Sequence, residues 1–270
     1  LGARRWLTIG SLQIQPSEFA KIATILLLAN VLAGRSHLVE QKRSFVAALS
    51  LVSLPAFLVL KQPDLGSALV FIPFLIAMIF AWGIRLRYLV SLVLIGLASL
   101  PFLWQTLKPY QQKRILVFFN PEIDPIGASY TAIQSKIAVG SGGLFGKGWL
   151  RGTQTQLDFV PEHHTDFIFS VVAEEFGFLG SFLILFLFAL LIAYSFRIIH
   201  QTTDSKARLL ALGIASYFCF QVFVNIGMTI GLAPITGITL PFMSYGGSSL
   251  VANFFAFGLL VSIYKERSIF

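Results

Sequence analysis

Seven stretches of this sequence are apolar over about 17–25 residues or more, the length at which a helix crosses a bilayer. They lie at residues 17–34, 44–60, 65–82, 87–107, 167–197, 207–232 and 244–264. Composition agrees, since 56% of the 270 residues are hydrophobic and 12% are charged, against about 25% charged in a soluble domain. Too little polar surface remains to cover a body in water. The expected fold is an all-α polytopic membrane protein, one membrane domain over residues 1–270. Cys219 is the only cysteine, which excludes an internal disulfide and a cysteine-based metal cluster. Its place in an apolar run reads as a small buried hydrophobe.

The formal net charge of +8 does not point to nucleic acid, because the basic residues sit in short clusters between apolar runs. That placement suits topology signals and lipid headgroups. One side of the membrane carries Arg35, Lys42, Arg43, Arg85, Arg87, Arg197, Lys206, Arg208, Lys265 and Arg267. The short connectors opposite, 61–64 and 233–243, hold only Lys61. Positive charge accumulates inside, so the first side is expected to be cytoplasmic. The long connector 108–166, between the fourth and fifth stretches, is then extracytoplasmic. The opening "LGARRW" reads as the continuation of a longer chain.

Pro55, Pro73 and Pro101 fall inside apolar runs and are expected to kink them. The link "GLAPITGITLPFMSYGGSS" (231–249) mixes Pro, Gly and Ser at membrane depth. Irregular backbone survives there only against protein or a polar cavity.

Charged residues at the ends of these stretches are the candidates for chemistry. From Asp166 a helix through Phe196 would place Asp166, Ser170, Glu174, Gly177 and Ser181 on one polar, small-residue stripe. Such a stripe is expected to face the bundle or a wet cavity rather than lipid. Asp166 can be read as a helix N-cap, with Thr165 as its competitor, or as a catalytic or ion-binding carboxylate. Glu162, His163, His164 and Asp166 also resemble a metal site, although their spacing matches no closed zinc pattern. In "QIQPSEFAKIA" (13–23), Glu18 and Lys21 share a helix face and can pair. The pair could dock helices or touch substrate. Asp64, in "LKQPDLGSALV" (60–70), reads as an N-cap and lies on the same outer side as Glu18 and Asp166. In the long connector, Tyr130, Ile133, Ile137 and Ala138 form one face of a short interfacial helix. The glycine-rich run that follows, with Lys147 and Arg151, reads either as a phosphate cradle or as a flexible loop.

Five segments together carry a family resemblance: "RRWLTIGSLQIQPSEFAK", "KQPDLGSAL", "DPIGASYTAIQSKIAVGSGGLFGKGW", "VPEHHTDFIFSVVAEEFG" and "PFMSYGGSSL". They resemble the SEDS family, the shape, elongation, division and sporulation proteins, almost end to end. "GKGWLRGTQTQLDFVPE" looks like the rod-shape (RodA) branch. The resemblance implies a SEDS-type helical bundle with a large extracytoplasmic loop, and about three further helices ahead of this chain. It implies polymerisation of lipid II into peptidoglycan glycan strands at the outer face of the bacterial cytoplasmic membrane, for elongation and cell shape. Asp166 matches the family's essential acid, Glu18 and Lys21 its required pair, and Asp64 its "QPDLG" acid. Implied partners are lipid II, the nascent glycan, a class B penicillin-binding transpeptidase and other elongation proteins.

On this reading Asp166 is a general base toward the acceptor hydroxyl, with inversion at the anomeric carbon. Arg4, Arg5, Lys21, Lys147 and Arg151 are candidates to meet the leaving diphosphate, Arg5 and Lys21 first. Glu162 and His164 are further substrate-binding or supporting candidates. No cofactor is required by the sequence, and a divalent cation (Mg or Mn) could assist. Two rival functions are a flippase for lipid-linked sugar and a noncatalytic scaffold for a transpeptidase.

Overall fold

A computed structural model of the chain describes residues 5–9, 12–34, 41–162 and 164–267. Arg4, Arg35 and His163 lie outside the described residues. The chain begins with a two-stranded antiparallel ribbon, β1 (Leu7–Ile9) and β2 (Leu12–Ile14), with Thr8 opposite Gln13. The all-helical expectation did not contain it. Its signal is short but present: "LTI" and "LQI" flank a Gly-Ser pair, a two-residue hairpin pattern.

Helices follow in order: α1 (Pro16–Ala33), α2 (Gln41–Lys61), α3 (Leu65–Leu69), α4 (Phe71–Ala81) and α5 (Leu86–Thr106). Then come α6 (Pro109–Phe119), α7 (Tyr130–Ser141), α8 (Thr153–Gln156), α9 (Ile168–Gln201), α10 (Ser205–Ile230) and α11 (Gly247–Arg267). Among the described residues six helices are long and apolar enough to cross a membrane: α1, α2, α5, α9, α10 and α11. The protein is a multi-pass membrane protein. The remaining expected stretch, 65–82, divides into α3 and α4 at Val70. Pro73 has no N–H to give the Leu69 carbonyl four residues back, and the helix breaks there. Pro55 and Pro101 sit within α2 and α5, which run on through them.

The connector 108–166 is not a plain loop. It holds α6, a 3-10 turn at Pro121–Ile123, α7 and α8. Between α6 and α7, Lys113 lies 2.7 Å from Asp124, whose carboxylate also accepts from the N–H groups of Ala128 and Gly127. That lysine first, and then those N–H groups, hold the Asp124 carboxyl below its ordinary value. The buried side of α7 is Ser135 and Ala138, while Ile137 is 45% exposed. Of the expected interfacial line, Ile137 is exposed, Tyr130 and Ile133 are half-buried and Ala138 is buried.

The chain divides into two compact units, with the boundaries falling inside α5, α9 and α10. The first takes in residues 1–101, 192–220 and 247–270. Its core is built where α1 meets α2, α4 and α11, around Ile25, Leu28, Leu32, Phe74 and Met78. A Cβ on Gly213 would strike Ile25 and Met78, so glycine lets α10 approach closely. The second unit takes in 102–191 and 221–246. Phe169, Phe188, Val222, Ile226 and Leu240 form one cluster in it; Ala138, Val160 and Phe167 form another, with Ile235 packed against it. Outward-facing side chains are apolar too. Phe178, Phe182 and Phe186 stack at 6.1 and 6.5 Å along an exposed face of α9, as lipid-facing residues can. Cys219 is on an outward face as well, contrary to the buried reading, because an apolar run in a membrane helix does not distinguish lipid from core.

Candidate functional site

The segment before α9 is shaped by one carbonyl. Glu162, with φ +56, turns its C=O to accept from the N–H groups of Thr165, Asp166 and Phe167 at 3.1–3.3 Å. Its side chain accepts from Thr165 Oγ1 at 3.2 Å. Helix α9 begins at Ile168, so neither Asp166 nor Thr165 stands directly before the first helical residue. Asp166 belongs to the turn that leads into the helix.

Three successive carbonyls of that turn are held from outside it. The His164 carbonyl accepts from the Tyr245 N–H at 3.0 Å, and that of Thr165 from Ser244 Oγ at 2.7 Å. The Asp166 carbonyl accepts from Asn225 Nδ2 at 2.9 Å. Asn225 also donates to the Ile238 carbonyl at 2.7 Å, and the Leu240 N–H donates to Ser244 Oγ at 2.7 Å. The irregular link 231–246 thus survives at depth because its polar groups are satisfied by protein. It also fixes the backbone that carries Asp166. The Asp166 side chain is half-buried, and a Cβ on Gly237 would lie 3.4 Å from its Oδ2. The His164 ring stands edge-on to Tyr245 at 6.1 Å.

Two turns into α9 the helix is interrupted at Gly177, with φ 64 and ψ −157, a region open in practice only to glycine. In an unbroken helix the N–H groups of Phe178 and Leu179 would bond the carbonyls of Glu174 and Glu175. Here they donate instead to the Gly143 and Leu144 carbonyls, at 2.8 and 3.2 Å. The released Glu174 and Glu175 carbonyls accept from Lys147 N and Gly148 N, at 3.0 and 2.9 Å. The glycine-rich run 143–148 is spliced into the gap in the helix. It is a fastened segment rather than a flexible loop or an open cradle. The continuous polar stripe expected from Asp166 to Ser181 is broken at its fourth member.

Glu174 completes that fastening. Its fully buried carboxylate accepts from Lys147 Nζ (2.7 Å), Gln154 N (2.8 Å), Thr155 N (3.0 Å) and Thr155 Oγ1 (3.0 Å). It caps α8 and anchors Lys147, while Arg151 is left exposed.

The first unit holds the other candidates. Lys21 Nζ lies 2.7 Å from Glu18 Oε1, with side-chain exposures of 2% and 5%. The ammonium sits 5.5 Å above the Tyr217 ring, and the Tyr217 hydroxyl donates to Asn253 Oδ1 at 3.0 Å. A desolvated pair of this kind is sensitive to losing one member, at about 3–5 kcal/mol. Glu18→Gln and Lys21→Met are each expected to be strongly destabilising, and the double variant much less so than their sum. Thermal unfolding of the four proteins in detergent tests this, and additive losses would show that the two side chains act separately.

Asp64 is the N-cap that its sequence suggested. It accepts from Ser67 N at 3.1 Å and Ser67 Oγ at 2.9 Å. Arg5 Nε donates to the Gln62 carbonyl at 2.9 Å, and its NH1 is 3.9 Å from Asp64 Oδ2. Lys21 and Arg5, the cations first considered for a leaving diphosphate, are each engaged by protein. The structure therefore brings Arg5 to Asp64, Lys21 to Glu18 and Lys147 to Glu174, while Asp166, Glu162 and His164 share one turn in the second unit. Among the described residues, no three His, Cys, Asp or Glu side chains gather closely enough to hold a metal ion, and no step is assigned to one. Asn225, Ser244 and Gly237 were missed by sequence reasoning. Their only signal was the polar, glycine-containing character of the link and of α10 before it.

Comparison with known proteins adds the following. Residues 1–269 match the FTSW_RODA_SPOVE family model, described as cell cycle protein. The chain is 43% identical over 267 residues to the peptidoglycan glycosyltransferase MrdB of Escherichia coli K12, covering 98% of this chain and 72% of that protein. It is 36% identical to the peptidoglycan glycosyltransferase RodA of Treponema pallidum, covering 98% and 78%. Among solved structures, it superposes on the Thermus thermophilus rod shape determining protein RodA with a TM-score of 0.68 at 34% identity, covering 98% and 70%. A chain from a peptidoglycan synthase complex that coordinates polymerization and crosslinking gives 0.81 at 36% identity, covering 99% and 74%.

Proposed function

The chain belongs to the FTSW_RODA_SPOVE family of cell cycle proteins, and on that premise we propose that it is a peptidoglycan glycosyltransferase serving cell-wall elongation and cell shape. Its substrate is lipid II and its product the glycan strand. The reading is supported by relatives that carry that activity in their names at 36–43% identity over nearly the whole chain. Within the chain, the observation that carries it is the triple carbonyl clamp on residues 164–166. A fold that fixes three consecutive carbonyls around one half-buried carboxylate holds that carboxylate in place for a partner.

Asp166 is the general base. It takes the proton of the acceptor sugar hydroxyl as that oxygen forms its bond to the anomeric carbon of the growing chain. The bond from that carbon to the diphosphate breaks, its electron pair leaves on the diphosphate oxygen, and the anomeric configuration inverts. Glu162 supports the base through the turn it closes. Glu174 and Lys147 support it by fastening the segment 143–156 to α9. Glu18, Lys21, Arg5 and Asp64 support the first unit. The partner is a transpeptidase of the class B penicillin-binding type, as the synthase complex among the structural relatives suggests. The site lies at the extracytoplasmic face of the bacterial cytoplasmic membrane.

The deciding assay is glycan formation from purified lipid II in detergent by the full-length protein, with and without its transpeptidase. No transmembrane movement is needed there, so product is expected from an enzyme and not from a flippase or a scaffold. Absence of glycan under both conditions would overturn the proposal. Orientation has its own test in protein whose exposed Cys219 has been replaced. Ile126, 89% exposed, changed to Cys is expected to react with an impermeant thiol reagent from outside, and Lys206→Cys only after the membrane is opened. The reverse pattern would put the site on the cytoplasmic face.

A further inference from the structure

A cleft in the second unit lies between α6, α7 and the start of the link, lined by Arg114, Val117, Phe118, Ile133, Lys136 and Ile235 among others. Two cations face it and no acidic residue lines it. Among the described residues neither cation has a carboxylate within ion-pair distance. Arg114 lies 5.9 Å over the Tyr110 ring, and the Lys136 stem lies against Gly231, where a Cβ would collide with it. The nearby acid, Asp124, is already taken by Lys113 and two backbone N–H groups. The walls are fastened: Ser135 Oγ donates to the Thr229 carbonyl at 2.9 Å, and Ser129 Oγ to that of Pro121 at 2.8 Å.

Position adds to this. Helix α5 ends at Thr106, three residues before α6, and α10 ends at Ile230, next to the lining residue Gly231. The cleft therefore opens where two membrane spans end, the depth of lipid headgroups. Ile235 faces the cleft and also packs on the cluster containing Phe167, the residue after Asp166. Gly237, against the Asp166 carboxylate, is two residues further on, at most about 7 Å along the chain.

We propose that Arg114 and Lys136 bind the diphosphate of a polyprenyl-linked sugar, with the apolar walls receiving the first carbons of its lipid. Two cations lining one cleft with no acid among its walls suit a group with more than one negative charge, which a diphosphate carries and a simple phospholipid phosphodiester does not. This rests on the glycosyltransferase reading and deepens it: the two cations meet the charge that grows on the leaving oxygen. Lys21 and Arg5 are then free to do the structural work in which they are found.

The test is binding of undecaprenyl diphosphate to the full-length protein in detergent, for wild type, Arg114→Gln, Lys136→Met, the double variant and Lys136→Arg. Met keeps the stem against Gly231 and removes only the ammonium. Each single loss is expected to weaken binding about tenfold or more, the usual scale for a hydrogen bond to a charged group. The double variant should be weaker again, and Lys136→Arg close to wild type. In wild-type protein, acetylation of Lys136 should be slowed by undecaprenyl diphosphate and not by phosphatidylglycerol, a readout that needs no variant to fold. Unchanged affinity in the double variant, or equal protection by phosphatidylglycerol, would overturn the site; the latter would make it a bulk-lipid contact. Binding does not require turnover. Failure of polymerisation with this binding intact would therefore count against the enzyme reading alone.

Discussion

Asp166→Asn protein is expected to insert, unfold at the wild-type temperature and hold its transpeptidase, yet to polymerise lipid II at least about 10²–10⁴-fold more slowly, the contribution of a positioned general base. The substitution isolates one property. The clamp from Tyr245, Ser244 and Asn225 grips the backbone carbonyls of residues 164–166 and not the side chain. Exchanging one carboxylate oxygen for an amide nitrogen therefore leaves those three bonds in place. Asparagine also suits the space beside Gly237, being nearly the same size. What it lacks is the basicity to accept a proton from the acceptor hydroxyl. Glycan product from purified lipid II, with undecaprenyl diphosphate binding measured on the same preparation, separates loss of chemistry from loss of substrate. A polymerisation rate within a few-fold of wild type would remove Asp166 from the role of base.

The spans were legible because hydrophobicity at membrane length is the strongest signal a sequence carries. Six of the observed helices start and stop within a few residues of the apolar stretches, while 65–82 divides at Val70. The Asp64 cap and the Glu18–Lys21 pair were legible for a different reason, since each is settled by residues three apart on one helix. The rest depended on contacts distant in sequence. Nothing near Asp166 in the chain says that Asn225, 59 residues on, holds its carbonyl. Nor does the glycine-rich run announce that it fills a gap in α9. Its flexible look was a property of the isolated segment, and the four backbone bonds that fasten it come from residues 174–179. The partner of Lys147 was hidden for the same reason: Glu174 is 27 residues away. Hydropathy is equally silent on the side of a helix that meets lipid, which is why Cys219 was read as buried when it is exposed.

That splice yields the second large effect. Gly177→Ala is expected to destabilise the protein by about 2–6 kcal/mol, from the two costs it combines. An alanine forced to φ 64 and ψ −157 carries backbone strain of about 1–3 kcal/mol. Its Cβ would also run into the Gly146 nitrogen and the Leu144 backbone, and crowding a packed site costs about 1–3 kcal/mol more. Neither neighbour can yield cheaply. The atoms met there are backbone, and their segment is bonded to Glu174 and Glu175 before the break and to Phe178 and Leu179 after it. The variant has one other course, which is to let α9 close into a regular helix. The Glu174 and Glu175 carbonyls would then take back the Phe178 and Leu179 N–H groups and expel residues 143–148, together with the α8 cap on Glu174. Either outcome appears as a lower unfolding temperature in detergent, and expulsion also as faster proteolysis between residues 143 and 156. Gly140→Ala is the control, since nothing lies within 4 Å of an added Cβ there and alanine is the better helix former by up to about 1 kcal/mol. Gly177→Ala protein as stable and as protease-resistant as that control would mean that the break in α9 is not what holds the segment.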